Sequence, residues 1–503
     1  MEQKLPPARP AQSARLQLAD VLVALAIMAV CVAMRIATLG DTNYHDDDLF
    51  YFLVGQRMHD GALPYVDVWD RKPLGLFIIY YFIAGISRHI WTYQIVGWCF
   101  LAATGWVIHR IVLFWTNRQG GLLAGMAYVV ITFTYGGDNG QAPVFYNLFM
   151  VTAFLLTMRE FPSLDRGRCN PGIWAAMALC GVAITVKQTS LFESLFLGGA
   201  VLFALLRSGM GKARLAGLSL GLAAVGAAPM LAIAAAYWWM GHWPEFWNAM
   251  LRANLQRQSI GVSKGLIWNI AVPIRAIVIL PIAGWALASL IRERRVRNFL
   301  VGWLAAALIG FLSVANFFVH YALPMLVPLC VIAGFAFARA AWGRILFAAV
   351  LCYDLLWHTP FDFAQTRKSN AAMEQATRLI LDHSAGRGLL VYDGPPYLYA
   401  LTGKPFLSPL VFPHHLNHEA ERDLSHLRTS EAMDRILAER PGAIATVLYP
   451  RNFPVNRDSY DKIRMYAAQN CRVVGIVKLP EQVPPSELVI FGDCNIKQPA
   501  KPR

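Results

Sequence analysis

Apolar runs long enough to cross a bilayer recur along this chain, and the charges fall mostly in the short segments between them. That pattern allows few folds. A hydrocarbon core about 30 Å thick takes about 20 apolar residues per helix, and a lipid-exposed backbone must bond within itself. Only 15% of the residues are charged and 56% are hydrophobic, whereas a soluble domain carries about 25% charged residues. The chain therefore reads as a mostly α, polytopic membrane protein. Its net charge of +14 does not call for nucleic acid, because the basic residues crowd the inter-span loops in a positive-inside pattern. No internal repeat, low-complexity tract or cleavable signal peptide is evident.

The runs Val21–Leu39, Tyr93–Phe114, Leu122–Tyr135, Pro143–Met158, Gly172–Val186, Ser190–Leu206, Leu215–Met240, Ile267–Ile291, Phe299–Phe317, Tyr321–Ala338 and Ile345–Trp357 are the candidate spans. Leu74–Ile86 is apolar but short, and counting it as a span would reverse every later loop. Arg159, Arg166 and Arg168 would then face outward, as would Arg292, Arg294, Arg295 and Arg297. Laid flat at the outer surface, it leaves these clusters inside with Arg118, the Arg207–Lys212–Arg214 loop and the N-terminal Lys4, Arg9 and Arg15. About eleven spans result, with a cytoplasmic N-terminus and a periplasmic or otherwise external tail.

Three regions follow: an arm over 1–18, a membrane domain over 19–358 whose first external loop is 41–92, and a tail over 359–503. In the tail, Gln365–His383 and Glu419–Glu439 read as helices; Leu389–Tyr392, Ala443–Tyr449, Arg472–Lys478 and Leu488–Phe491 read as strands. The alternation suggests a small α/β domain. Of eight cysteines, Cys471 and Cys494 fall in this tail; a disulfide and two free thiols are both open readings.

Several polar residues share the predicted outer face. They are Asp46, Asp47 and Asp48; Asp70, Arg71 and Lys72; Asp138 and Gln141 in a glycine-rich loop; Lys187 and Gln188; Arg252 and Arg257; and His320 with Tyr321. Ionisable groups at helix mouths are functional candidates by default. A lipid-linked sugar phosphate suits them. Cations stabilise the phosphate that leaves, a carboxylate takes the acceptor's proton, and direct displacement inverts the anomeric carbon. No nucleotide-binding glycine loop is visible. Each residue also has a plainer reading: Lys187 as a snorkelling lysine, Asp138 as a cap, His320–Tyr321 as an interfacial belt. His414, His415 and His418 read as a loop rather than a metal site, and no obligatory metal is expected.

The chain resembles the GT-C superfamily of polyprenyl-phosphate-sugar-dependent transferases, especially lipid A aminoarabinose transferases and protein O-mannosyltransferases. Asp46-Asp47 stands where that family has Asp-Glu after the first helix. Gly61 falls at the later glycine, and Lys72-Pro73-Leu74 occupies the Lys-Pro-Pro place. The segments GALPYVDVWDRKP, AITVKQTS, NFFVHYALPMLVPL and VYDGPPYLYALTGKP are similar to family members. Asp47 for Glu and Leu74 for the second proline are departures. The resemblance implies a GT-C fold with outer interfacial helices and an external domain. It implies Asp46 as catalytic carboxylate and Lys72 and Lys187 on the donor phosphate; the outer-face charges add Asp47 beside Asp46 and Arg252 and Arg257 as further cations. Asp138, Gln141, Gln188, His320 and Tyr321 would line the substrate. The partners would be a polyprenyl-phosphate sugar, a lipid, glycan or protein acceptor, and membrane lipids, at a bacterial inner membrane. A transporter or flippase for a lipid-linked sugar is the alternative, though repeated halves are missing and the charges sit at one face. An envelope glycan polymerase or ligase is a third reading.

Overall fold

The computed structural model describes residues 18–256, 278–314, 318–358, 360–450, 454–480 and 486–495. The first helix, α1 (Leu18–Arg35), buries Val23, Ile27, Cys31 and Met34 along one stripe and exposes Leu22 and Leu25 on the other side. The stripe packs on α4 (Trp91–Leu113) and α5 (Arg118–Thr134). A helix this apolar with half its surface open is solvated by lipid rather than water. The helix Lys212–Trp239 makes the point more strongly, since only Leu222 and Tyr237 are buried in it. Seven described helices are long and apolar enough to span: Leu18–Thr38, Trp91–Leu113, Ala142–Arg159, Ser190–Arg207, Lys212–Trp239, Arg294–Leu312 and Val319–Arg339. The expected span Ile267–Ile291 begins outside the described residues.

The helix Leu74–Ile86 (α3) forms as one 13-residue piece. At 1.5 Å per residue it is about 20 Å long, too short for the bilayer core. It packs chiefly on α2 (Asp46–His59), and also touches α4 and the helix Pro171–Val186. Every residue from Asp48 to Gln56 of α2 is buried. A helix covered on all sides needs neighbours on all sides. Tyr80 of α3 lies 5.7 Å from Tyr51, while the tail supplies Phe412 at 4.9 Å from Phe50 and Tyr397 at 6.3 Å from Phe52.

Cross-links sort the loops into two faces. Arg110 pairs with Asp20 at 3.0 Å, Arg339 donates to the Trp115 carbonyl at 3.3 Å, and Arg295 pairs with Asp165. The first loop instead meets the tail. Asn370 accepts from the Thr42 amide at 2.9 Å, Arg57 donates to the Lys404 carbonyl at 2.9 Å, and the Trp69 amide donates to the Pro409 carbonyl at 2.9 Å.

The tail holds a four-stranded sheet in the order β1 (Leu389–Val391), β2 (Ala443–Val447), β4 (Ser486–Gly492), β3 (Arg472–Leu479). β1 and β2 are parallel; the other pairs are antiparallel. The helix Phe363–His383 covers β3 and β4, and Asp362 caps it by accepting from the Ala364 and Gln365 amides. Cys471 and Cys494 are joined as a disulfide. The expected helix Glu419–Glu439 is shorter: Glu419–Glu421 is a single 3-10 turn and the α-helix runs Thr429–Ala438. The Asp423 side chain accepts from the Thr429 amide at 2.8 Å, which favours a turn between the two. The helix Arg457–Asn470, with buried Ser459, Ile463 and Ala467, was not anticipated.

Candidate active site

α2 begins the site. Its first turn carries Asp46, Asp47 and Asp48, where a helix N-terminus favours carboxylates. The three differ in surroundings. Asp48 is fully buried and accepts from the Gly140 amide at 2.8 Å. Burial raises its carboxyl to about 7 even though His45 and that amide pull the other way. Asp47 is half-buried. Burial would raise it too, but the Lys72 ammonium, then His320, His414 and His45, outweigh it and hold the carboxyl at about 2. Asp46 is half-buried and about 100° further round the helix.

The loop Gly136–Gln141 is gripped from four helices. Arg35, fully buried at the end of α1, donates to the carbonyls of Asp138 and Val129 and to Thr132 Oγ1, each at 2.9 Å. Trp98 of α4 donates to Asn139 at 2.9 Å, Tyr80 of α3 donates to the Gly140 carbonyl at 2.8 Å, and Asp48 of α2 takes the Gly140 amide. The loop in turn fixes Asp138, whose Oδ2 accepts from the Tyr44 hydroxyl at 3.2 Å and faces His45 Nε2 at 3.1 Å. Burial lowers the His45 imidazole, but the bond to Asp138 and the charges of Asp48, Asp138 and Asp47 prevail and lift it to about 9. His45 is thus cationic at neutral pH.

Lys72 and Lys187 are brought together by a missing side chain. Gly75, in the first turn of α3, abuts Thr185 near the end of the helix Pro171–Val186; a Cβ there would stand 2.3 Å from Thr185 Oγ1. Lys72 precedes one contact by three residues and Lys187 follows the other by two. Lys72 Nζ lies 3.9 Å from Asp70 Oδ1 and 5.1 Å from the centre of the Tyr51 ring. Burial disfavours its charge, but Asp70 and then Asp47 raise its pKa above the ordinary lysine value. Lys187 Nζ sits 4.0 Å over the Tyr321 ring, a cation–π distance. The Tyr321 ring also meets His320 edge-on at 4.6 Å. Asp47, Lys72, Lys187, His320 and Tyr321 fall within one electrostatic neighbourhood.

Other expected residues sit differently. Asp138 is engaged by Tyr44 and His45 rather than presented to a ligand. Gln188 donates to the Met250 carbonyl at 2.9 Å, and Gln141 is buried where α6 (Ala142–Arg159) begins. Arg252 is exposed at the end of a π-turn, and Arg257 lies outside the described residues. Arg35, Tyr44 and His45 were not singled out as site residues, and Asp48 was named in the acidic triplet without a role of its own. An arginine closing an apolar span was the signal for the first. Among the described residues, no group of three or more His, Cys, Asp or Glu could hold a metal ion.

A shaped site results, with one carboxylate beside the Lys72 ammonium and imidazoles, and Lys187 over the neighbouring Tyr321 ring. It can hold an anion and accept a proton beside it. No family model and no curated protein matches the chain in sequence. Solved structures match in shape. ArnT from Cupriavidus metallidurans bound to undecaprenyl phosphate aligns over 96% of this chain and 98% of its own, with a TM-score of 0.60 at 14% identity. The same protein in the apo state gives 0.63 at 13%, over 96% and 99%. The Archaeoglobus fulgidus oligosaccharyltransferase in its apo form gives 0.51 at 8%, over 85% of this chain and 69% of that one. At such identities the likeness is one of fold, and the chain shares the ArnT fold over nearly its whole length.

Proposed function

We propose that this protein is a membrane glycosyltransferase that moves a sugar from a polyprenyl-phosphate donor to a cell-envelope acceptor. The carrying observation is Asp47 beside Lys72, with Lys187 and His320 in the same neighbourhood, inside a fold shared with a protein solved bound to undecaprenyl phosphate. The donor's tail stays in lipid and its phosphate meets the two ammonium groups. Asp47 takes the proton of the acceptor hydroxyl as the oxygen attacks the anomeric carbon. The bond from that carbon to the phosphate oxygen breaks, and its electron pair stays on the phosphate. The added charge is stabilised where Lys72 and Lys187 stand. Attack from the face opposite the phosphate inverts the anomeric centre.

We place the base at Asp47 rather than Asp46, because Asp47 shares its field with both Lys72 and His320. Asp48 is committed to Gly140, and Asp138 to His45 and Tyr44. Tyr321 and His320 line the same mouth. The face that carries the first loop and the tail is external in this reading, with about eleven passages and the basic loops in the cytoplasm of a bacterial inner membrane. Purified protein given a polyprenyl-phosphate sugar and an envelope lipid extract should release free lipid phosphate. Movement of intact donor across vesicles without any release would instead establish a transporter.

A further inference from the structure

The end of α2 away from its acids opens on a cavity of about 440 Å³ between the first loop and the tail. Gln56 and Arg57 line it from α2, Arg88 and His89 from the turn that joins α3 to α4, and Tyr397 from the tail. Arg57 stands about 15 Å along the helix from Asp47, so the cavity is separate from the candidate active site. Its walls are fixed from both sides. The buried Gln56 donates from Nε2 to the Arg88 carbonyl at 3.1 Å and to the Tyr397 hydroxyl at 3.3 Å. Arg57 reaches the Lys404 carbonyl and lays its guanidinium 4.8 Å from the centre of the Phe406 ring.

The charges around the cavity do not balance. Among the described residues that line it, Asp60 is the one acid. It pairs with Arg88 at 2.7 Å and with Arg57 at 3.7 Å. One carboxylate thus answers two guanidiniums, and the cavity keeps an excess of positive charge. The Arg88 and Asp60 side chains are 56% and 40% exposed. A pair so open to water is weakly held, and an anion can take one of its partners at small cost.

The cavity also lies at the level of the lipid headgroups. Phe82 and Ile86, near the end of α3, are exposed, and so is Trp91, the first residue of the span α4. Arg88 and His89 fall between these two apolar surfaces. An aromatic residue at the mouth of a span marks the interfacial layer. A water-soluble anion has no use for the apolar flank, whereas a lipid can lay its chains there and turn its phosphate into the cavity.

We propose that this cavity binds the headgroup of an anionic glycerophospholipid, with its phosphate at Arg57 and Arg88 and its chains against Ile86 and Trp91. The bound headgroup touches the first loop and the tail at once and ties them together. The inference rests on the membrane placement of the helices and not on the transferase chemistry.

The test uses the full chain purified in a neutral detergent, with bound lipid counted by native mass spectrometry as phosphatidylglycerol is added. Wild type should retain phosphatidylglycerol in preference to phosphatidylcholine of the same chains, and inorganic phosphate at equal concentration should not displace it. Arg88→Gln removes one exposed charge. It should weaken retention roughly tenfold, about the worth of a charge-assisted hydrogen bond, with the melting temperature in lipid-free detergent unchanged. Ala400→Glu brings a carboxylate to the cavity from the tail and should weaken retention as much; it carries the comparison should Arg88→Gln fail to fold. Asp60→Asn should tighten retention several-fold, which a merely structural pairing of Asp60 with Arg88 would not do. Equal retention of the two lipids, displacement by inorganic phosphate, or wild-type retention in both Arg88→Gln and Ala400→Glu overturns the proposal. So does any failure of Asp60→Asn to tighten it.

Discussion

Exchanging Asp47 for Asn separates proton transfer from donor binding. The amide keeps the side chain's size and removes its charge. A positioned general base contributes about 10²- to 10⁴-fold in rate, or about 3–5 kcal/mol of barrier. The resting carboxyl is held at about 2, so it is ionised throughout the working range but weakly basic. A phosphate arriving at Lys72 and Lys187 adds negative charge beside it and offsets the pull of the ammonium groups, which restores basicity when the donor is bound. Loss of Asp47 therefore acts on kcat. Donor affinity moves the other way: removing an anion next to an anion-binding site leaves it unchanged or tightens it. Asp46→Asn, by contrast, leaves turnover within about tenfold of wild type. The assay is single-turnover release of free polyprenyl phosphate, with donor binding measured in parallel. Near-normal turnover in a folded Asp47→Asn protein refutes the base assignment. So does a loss confined to donor affinity, which would make Asp47 a binding group.

Arg35→Met takes the guanidinium donor from the buried Asp138 carbonyl and from Thr132 Oγ1, while the Val129 carbonyl keeps Thr132 Oγ1 as a donor. At about 1–3 kcal/mol for each unsatisfied group, the melting temperature should fall by several degrees, and Arg35→Lys should recover only part because an ammonium cannot fork. His45 has its pKa raised from 6.5 to about 9, so the stability it confers is full below pH about 6.5 and is lost as pH rises through about 9. In His45→Gln that alkaline loss of melting temperature should disappear, while an unchanged profile would assign it elsewhere. Single cysteines at Arg294 and at the exposed Asp458, in a background without free cysteines, should label from opposite sides of the membrane; same-side labelling would restore Leu74–Ile86 as a span.

Much of the architecture was legible because membrane physics leaves few options. Hydrophobic length and loop charge located the long spans, and they marked Leu74–Ile86 as too short, which its 13-residue helix bears out. What they could not show is what that helix packs against. Its partner α2 is short and carries three acids in its first turn. Read alone, it does not look like a buried element. It is buried because the tail covers it with Phe412 and Tyr397, residues more than 300 positions away. The same limit applies to Arg457–Asn470, a polar helix whose small buried face emerges only against its neighbours.

The site divides along the same line. Acids and cations at helix mouths could be picked out one by one, because an ionisable group near lipid is costly without a purpose. Their division of labour could not, since it depends on who faces whom. Three aspartates in succession are chemically alike as a string. In the fold, one turns to a backbone amide, one to an ammonium and imidazoles, and one further round the helix. The same holds for the lysines. Lys72 and Lys187 are separated by six helices of sequence, and both come near His320 in a fold where Gly75 lets α3 press its backbone on Thr185. Any side chain at Gly75 must push that contact apart and carry Lys72 away from Lys187. Gly75→Ala should therefore cost donor affinity although residue 75 touches no substrate, and it should do so without altering the ionisation of either lysine. The site is a property of two close backbone approaches, α3 on Thr185 and the tail on Trp69–Lys72, more than of the charges themselves.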